Sequence, residues 1–194
     1  MRAGGPKPRA TLRLFFALWP TPEEQQALLA ASAACVAASG GRPIPAANLH
    51  ATLAFLGNVQ PARLPVLRAL AQDLAAAGDA ETPQLQFRRL EHWVRPQILC
   101  ATADATAGAA RAGALAAAIR QAAGAAGFSP DLKPFHAHVT VARKVAGAAQ
   151  AQPLAEVTWN CRSFALVAST TGAAGSLYSV LDSYPLDRGE NARE

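Results

Sequence analysis

Cysteine is scarce: Cys35, Cys100 and Cys161 are the only three in 194 residues. They are odd in number, far apart and without C-x-x-C spacing, which argues against a disulfide framework and against a cysteine zinc site. Their apolar surroundings ("AACVAA", "ILCAT") suit small buried hydrophobes, and their use fits a reducing cytoplasm. Long apolar runs are missing as well. "LRLFFALWP" stops at a proline and is too short for a signal-peptide core or a membrane span. The G-x-S-x-G and P-loop patterns are absent, so no serine triad or Walker-type phosphate loop is expected.

Charge is sparse too, at 16% of residues against 51% hydrophobic, an ordinary globular balance. Much of the apolar share is alanine, so the core must rest on Leu, Val, Ile, Phe and Trp. The net charge of +5 favours an anionic partner, although a soluble basic protein would show the same balance. Length predicts one domain, of two lobes, over residues 11–186. The Gly/Pro-rich basic stretch 1–10 and "DRGENARE" at 187–194 read as disordered tails.

Periodicity places the elements. Leu12, Leu14, Phe16 and Leu18 alternate as a strand. Thr21, Pro22 and Glu24 form a capping-box start for a helix that Gly40–Gly41 ends. A strand follows over 48–56, with a turn at Gly57–Asn58 and a helix over about 62–77. The second half predicts strands over 85–94 and 97–103, a helix over 107–126 and a strand over 136–142. A loop over 144–156 leads to closing strands in 157–169 and 177–186. Strand–helix–strand thus occurs twice, the plan of an α+β fold whose two similar lobes face each other across a cleft.

"NLHATLAFLGN" and "FHAHVTVARK" occupy matching places in those halves. In a strand, residues i and i+2 share a face, so His50 projects with Thr52 and His138 with Thr140. One such pair would read as a structural histidine beside a common strand threonine. Two matched copies point to a shared site. Two imidazoles can serve as complementary acid and base near neutral pH, and hydroxyls with a nearby cation can hold phosphoryl oxygens. "HAH" at 136–138 also has the spacing of strand-borne zinc ligands, but no Cys or carboxylate with suitable spacing completes a metal site. Metal-free attack on a phosphodiester fits best.

The stretches "LHATLAFLG" and "HVTVAR" resemble the paired His-x-Thr motifs of the 2H phosphoesterase superfamily. They are most similar to its RNA 2′,3′-cyclic phosphodiesterase, or 2′-5′ RNA ligase, branch. "RLFFALWP" and "LVASTTGAAGSLYSVLDSYPL" extend the resemblance over about residues 11–186. It implies a bilobal α+β fold, no cofactor or metal, and opening of RNA 2′,3′-cyclic phosphates to 2′-phosphomonoesters. Some members also join tRNA halves in reverse. Carried over, His50 would be the proton donor and His138 the proton acceptor, with Thr52, Thr140 and Arg143 binding the phosphate.

This chain departs from the family pattern at Ala137, where a proline is usual. By strand parity His136 would share the face of His138 and border the cleft, or else be a solvent-exposed histidine at the strand entry. Arg143 lies an odd number of residues from His138, so it reaches the cleft only if the strand bulges or ends near Ala142; otherwise it is a surface arginine. Trp93 and Phe15 are candidate base-stacking rings, although core packing suits both, and His92 reads as structural. Arg88, Arg89, Arg95 and Lys133 could form an electropositive approach. The partners expected are RNA ends or small cyclic phosphates, met by a cytoplasmic monomer with no membrane attachment. A module that binds RNA ends without chemistry is the other class of function to test.

Overall fold

The computed structural model describes residues 11–77, 82–145, 151–172 and 175–186. Both expected tails and the middle of the expected 144–156 loop lie outside them. The elements run β1 (Leu12–Leu18), α1 (Pro22–Ala38), β2 (Arg42–Pro43), β3 (Ala51–Val59), α2 (Leu64–Ala77), β4 (Gln84–Trp93) and β5 (Ile98–Ala103). Then come α3 (Ala107–Ala125), β6 (His138–Arg143), β7 (Gln152–Asn160), β8 (Ser163–Gly172) and β9 (Gly175–Pro185). Helix starts follow the capping chemistry. Thr21 and Glu24 close a full capping box on α1, and the Thr106 hydroxyl accepts from the Ala109 amide to open α3. Gly40 and Gly127 leave α1 and α3 at positive φ, +62° and +75°, which a side chain would resist.

All strand pairings are antiparallel, and the sheet order is β7-β4-β5-β6-β3-β1-β8-β9, with β2 added on β6. Two halves of four strands meet at β3 and β6, which share one bridge, Ala51 with Val139. Strands β7 and β8 belong to different halves yet are separated only by Cys161 and Arg162. The halves are therefore folded toward one another about the β3–β6 seam. Helix α1, which follows a strand of one half, packs on β7 and β6 of the other, while α3 packs on both β3 and β4. Gly108 permits the close docking of α3, since a Cβ there would lie 2.1 Å from the Gln84 carbonyl oxygen.

One large core joins the halves. It includes Phe16, Leu28, Leu67, Phe87, Trp159 and Phe164, all fully buried. The Trp159 indole also donates to the Glu24 carbonyl, tying α1 to β7. Truncating so large a buried ring costs about 3–5 kcal/mol in typical cores. A second, smaller cluster of Phe15, Ala17, Ala165 and Val167 lies on the other face of β1 and β8. Cys100 and Cys161 are buried as expected, Cys35 is half-buried, and all three are free thiols.

Several sequence expectations need correction. The turn read at Gly57–Asn58 is instead strand: β3 runs on to Val59, and Gly57 takes φ +69° beside a bulge at Leu56. Strand alternation cannot reveal such a bulge, because the extra residue simply shifts the period. The stretch 157–169 divides at Cys161–Arg162 into parts of two strands in different halves. The strand expected over 136–142 begins at His138, which leaves His136 outside it. The short β2 carries no periodic signal and was not anticipated.

Candidate active site

The bridge between Ala51 and Val139 sets the site. Both residues are fully buried, so their neighbours in each strand turn to the opposite face. Extending that antiparallel register by one residue each way puts His50 across from Thr140 and Thr52 across from His138. The four side chains line one cleft of about 570 Å3 at the seam. His50 itself stands one residue before β3, at the end of a helical turn over Ala46–Asn48, and His138 opens β6.

The two imidazoles are held alike. His50 Nδ1 lies 2.7 Å from the Asn48 carbonyl oxygen, and His138 Nδ1 lies 2.7 Å from the His136 carbonyl oxygen. A carbonyl only accepts, so each Nδ1 carries a hydrogen and donates it. Each Nε2 is left to exchange a proton. His136 thus serves first through its backbone. Parity does not apply to its side chain, since it precedes the strand, but that exposed ring still lines the cleft.

Two bulges complete the lining. In β6 the partners of Leu99 and Cys100 are Ala142 and Thr140, so Val141 is an inserted residue. Val141 and Ala142 both enter the core, and Arg143 returns to the cleft, which it lines. This is the bulge that a cleft-facing Arg143 requires. In β3 the partners of Phe16 and Ala17 are Ala54 and Thr52, so Leu53 is inserted. Leu53 and Ala54 are buried in turn, and Phe55 emerges on the cleft.

Electrostatics differ between the rings. His50 is stacked on Trp19 (centroids 5.3 Å apart, planes 7° apart), lies 4.9 Å from Phe15 and meets the edge of Tyr178 at 5.0 Å. Burial in that aromatic box drives its pKa from 6.5 to about 4. The Asn48 hydrogen bond opposes the shift, and the positive charges of Arg143 and His138 add to it. His138 packs against Trp93 at 4.5 Å. Its pKa is also lowered, chiefly by burial, against the pull of the His136 carbonyl and with help from the His136 charge. Both shifts favour the neutral imidazole.

Other expectations divide. Arg95 and Lys133 line the cleft, while Arg88 pairs with Asp104 and Glu156, and Arg89 pairs with Glu91 away from the lining. Phe15 lies under the site at 1% exposure, so its face is closed to a base. Residues not anticipated include Trp19, Tyr178 and Arg120, which reaches the bulge to donate to the Leu53 carbonyl. None of these has a spacing signal; only the folded sheet brings them in. Among the described residues no three His, Cys, Asp or Glu side chains gather as a metal site would need, and no helix is long and apolar enough to cross a membrane.

Comparison with known proteins finds relatives over most of the chain. The chain is 33% identical over 190 residues to an RNA 2′,3′-cyclic phosphodiesterase of Thermus thermophilus, covering 94% of each chain. It is 28% identical over 177 residues to the Escherichia coli enzyme of the same name, covering 90% of this chain and 96% of that one. The crystal structure of E. coli LigT complexed with 3′-AMP superposes with a TM-score of 0.75 at 27% identity, over 91% of this chain and 99% of that one. A solved T. thermophilus structure gives a TM-score of 0.72 at 33% identity, over 92% and 99%. The model of the 2′-5′ RNA ligase superfamily matches residues 19–173, and the chain belongs to that superfamily.

Proposed function

We propose that this protein hydrolyses 2′,3′-cyclic phosphates at RNA ends to 2′-phosphomonoesters, using two histidines and no metal ion. The observation that carries the reading is the matched pair of imidazoles, each fixed at Nδ1 by a carbonyl two residues earlier and each set across the seam from the other motif's threonine. His138 Nε2 takes a proton from water as the water oxygen bonds to phosphorus. The P–O3′ bond breaks, and the departing 3′ oxygen takes a proton from His50 Nε2. Thr52, Thr140 and Arg143 hold the non-bridging oxygens as charge builds, and His136 borders the phosphate.

The low pKa of His50 gives this scheme a condition. At about 4, His50 holds its proton at neutral pH only when an anion offsets the desolvation. The phosphodiester's own negative charge supplies that offset, so protonation and substrate binding are linked. The family's reverse joining reaction, as on tRNA halves, would use the same groups in the opposite order.

Arg13, Arg95, Arg120 and Lys133 line the cleft against one acid, Asp131, which favours a polyanion such as RNA. The volume of about 570 Å3 also suits a single cyclic nucleotide. That is the second reading, and E. coli LigT has been solved with 3′-AMP, NADP+ and ATP. Turnover that quickens with RNA length and weakens steeply with salt separates RNA from small substrates. We assign the enzyme to the cytoplasm as a monomer: its thiols are free, and one chain supplies all the site residues.

The deciding experiment is a phosphorus NMR time course on a short RNA ending in 2′,3′-cyclic phosphate, with excess chelator present. Appearance of the 2′-phosphomonoester supports hydrolysis without metal. An unchanged cyclic phosphate, with RNA ends bound tightly, would leave a binding module.

A further inference from the structure

The buried face of α1 carries Gln25, Leu28, Ser32 and Val36. Two of these are polar, and they behave differently. The Ser32 hydroxyl turns back on its own helix and donates to the Leu28 carbonyl at 2.7 Å. Gln25, 6% exposed, reaches out of the helix: its side-chain amide donates to the Leu49 carbonyl at 3.2 Å. A carboxamide withdrawn from water is costly unless bonded, and an apolar residue would fill the same place without that demand. The carbonyl it bonds stands directly before His50.

The two halves of the sheet show what this bond replaces. The carbonyl directly before His138 is that of Ala137, and it accepts from the Ala103 amide of the neighbouring strand β5 at 2.9 Å. Before His50 the neighbouring strand runs out. Strand β1 ends at Leu18, opposite Ala51. Continuing that antiparallel register by one residue sets Trp19 beside His50, where it is stacked. One residue further brings Pro20 across from Leu49, and proline has no N–H to give. The Gln25 amide, carried in on the helix, stands where a strand amide would otherwise be needed.

The consequence is geometric. The Leu49 carbonyl belongs to the rigid peptide plane that carries the His50 backbone nitrogen. Holding that plane sets the direction in which the His50 side chain leaves the backbone. The Asn48 carbonyl, one plane earlier, accepts from His50 Nδ1 and fixes the rotation of the ring.

We propose that Gln25 is a positioning residue: through the Leu49 carbonyl it aims His50 Nε2 at the departing 3′ oxygen, as the Ala103 amide aims His138 at the attacking water. Its effect on rate rests on the phosphodiesterase reading; its effect on the ring does not. Gln25 is not among the residues that line the cleft, so its loss should fall on kcat rather than on KM.

The test compares three variants of the full chain. Gln25→Met keeps the length of the side chain without its donor, and Gln25→Asn keeps the amide but draws it back by one methylene. Ser32→Ala removes a buried hydrogen bond from the same face of α1 without touching Leu49. Turnover of an RNA 2′,3′-cyclic phosphate is followed by phosphorus NMR, and the imidazole rings of the unliganded protein by nitrogen-15 NMR. Both Gln25 variants should lower kcat about 10- to 100-fold with KM within about twofold of native, the scale of a small misplacement of a reacting group. The His50 ring signals should shift or broaden while those of His138 stay in place, and Ser32→Ala should change neither. Either Gln25 variant alone removes the bond, so one that folds poorly leaves the other to decide. Native kcat with an unmoved His50 ring overturns the proposal. So does an equal loss of kcat in Ser32→Ala, which would trace the effect to general loosening of α1. If the unaltered protein hydrolyses no cyclic phosphate, the phosphodiesterase reading falls, while the ring spectra still decide whether Gln25 holds His50.

Discussion

Below His50 and Thr52 the neighbouring strands present Ala17 and Ala165, and beneath Phe55 they present Phe15 and Val167. These four make the small second core, with Trp19 and Tyr178 packed against it. Below His138 and Thr140 the corresponding rows are polar: Thr102 and Arg89, then Cys100 and Glu91. Arg89 donates to Thr102 and pairs with Glu91 at 3.0 Å; Glu91 accepts from the Trp93 indole; and Cys100 Sγ lies 3.8 Å from Thr140 Oγ1. The Arg89–Glu91 pair is solvent-facing and worth about 0–1 kcal/mol, so its effect is orientation rather than stability. One motif has thus been set on two different floors. The apolar floor makes His50 reluctant to hold a proton without an anion beside it, and the polar floor holds Trp93 against the other ring and sets Cys100 beside the other hydroxyl. Motif symmetry sets the proposed reacting groups; floor asymmetry can give them separate tasks.

The largest effects should come from the histidines. His50→Ala and His138→Ala should each lower kcat by about 10²- to 10⁴-fold, as loss of a general acid or base does. The double variant should be little slower than either, because the groups act as a unit. Near-native turnover in either single variant, followed by phosphorus NMR, would break the comparison at its root. Arg143→Ala should cost about 10²- to 10³-fold, the range for one transition-state donor. Arg143→Lys should recover part of that loss in the same assay.

The pH profile sharpens the contrast. Both histidines have lowered pKa values, that of His50 reaching about 4, and the reacting form in the proposed scheme carries one proton between them. Above about pH 6.5, kcat/KM should therefore fall roughly tenfold per pH unit. Trp19→Ala, which admits water to His50, should move that decline to higher pH. A profile flat from pH 6.5 to 8.5 would show that burial does not govern the proton.

The smallest effect concerns stability. His50 is harder to protonate folded than unfolded, so its contribution is complete above pH 6.5 and is lost as pH falls toward 4. Denaturant curves at pH 7 and 4.5 should differ by about 2–3 kcal/mol less in His50→Gln than in the native chain, from roughly 1.4 kcal/mol per unit. An equal acid loss in both proteins would place the destabilisation elsewhere.

Much of this was legible in the chain. The capping box at Thr21 and Glu24 and the doubled His-x-Thr spacing are local patterns, and local patterns survive in sequence. The inserted residues Leu53 and Val141 were not readable, although the Arg143 assignment asked for a bulge or a strand end near Ala142. A bulge depends on which partner strand supplies the hydrogen bonds, and nothing in a single strand records that. Phe55 remained hidden for the same reason, since straight alternation leaves its face undetermined.

The sequence by itself determined the proposed reacting groups: two imidazoles and two hydroxyls at a spacing that forces each pair onto one face of a strand. Only the tertiary structure decided how the pairs meet. The single bridge from Ala51 to Val139 crosses them, the paired bulges deliver Phe55 and Arg143, and burial lowers the proton affinity of both rings. These are contacts between residues far apart in the chain, and their energies depend on burial and neighbouring charge, which exist only after folding.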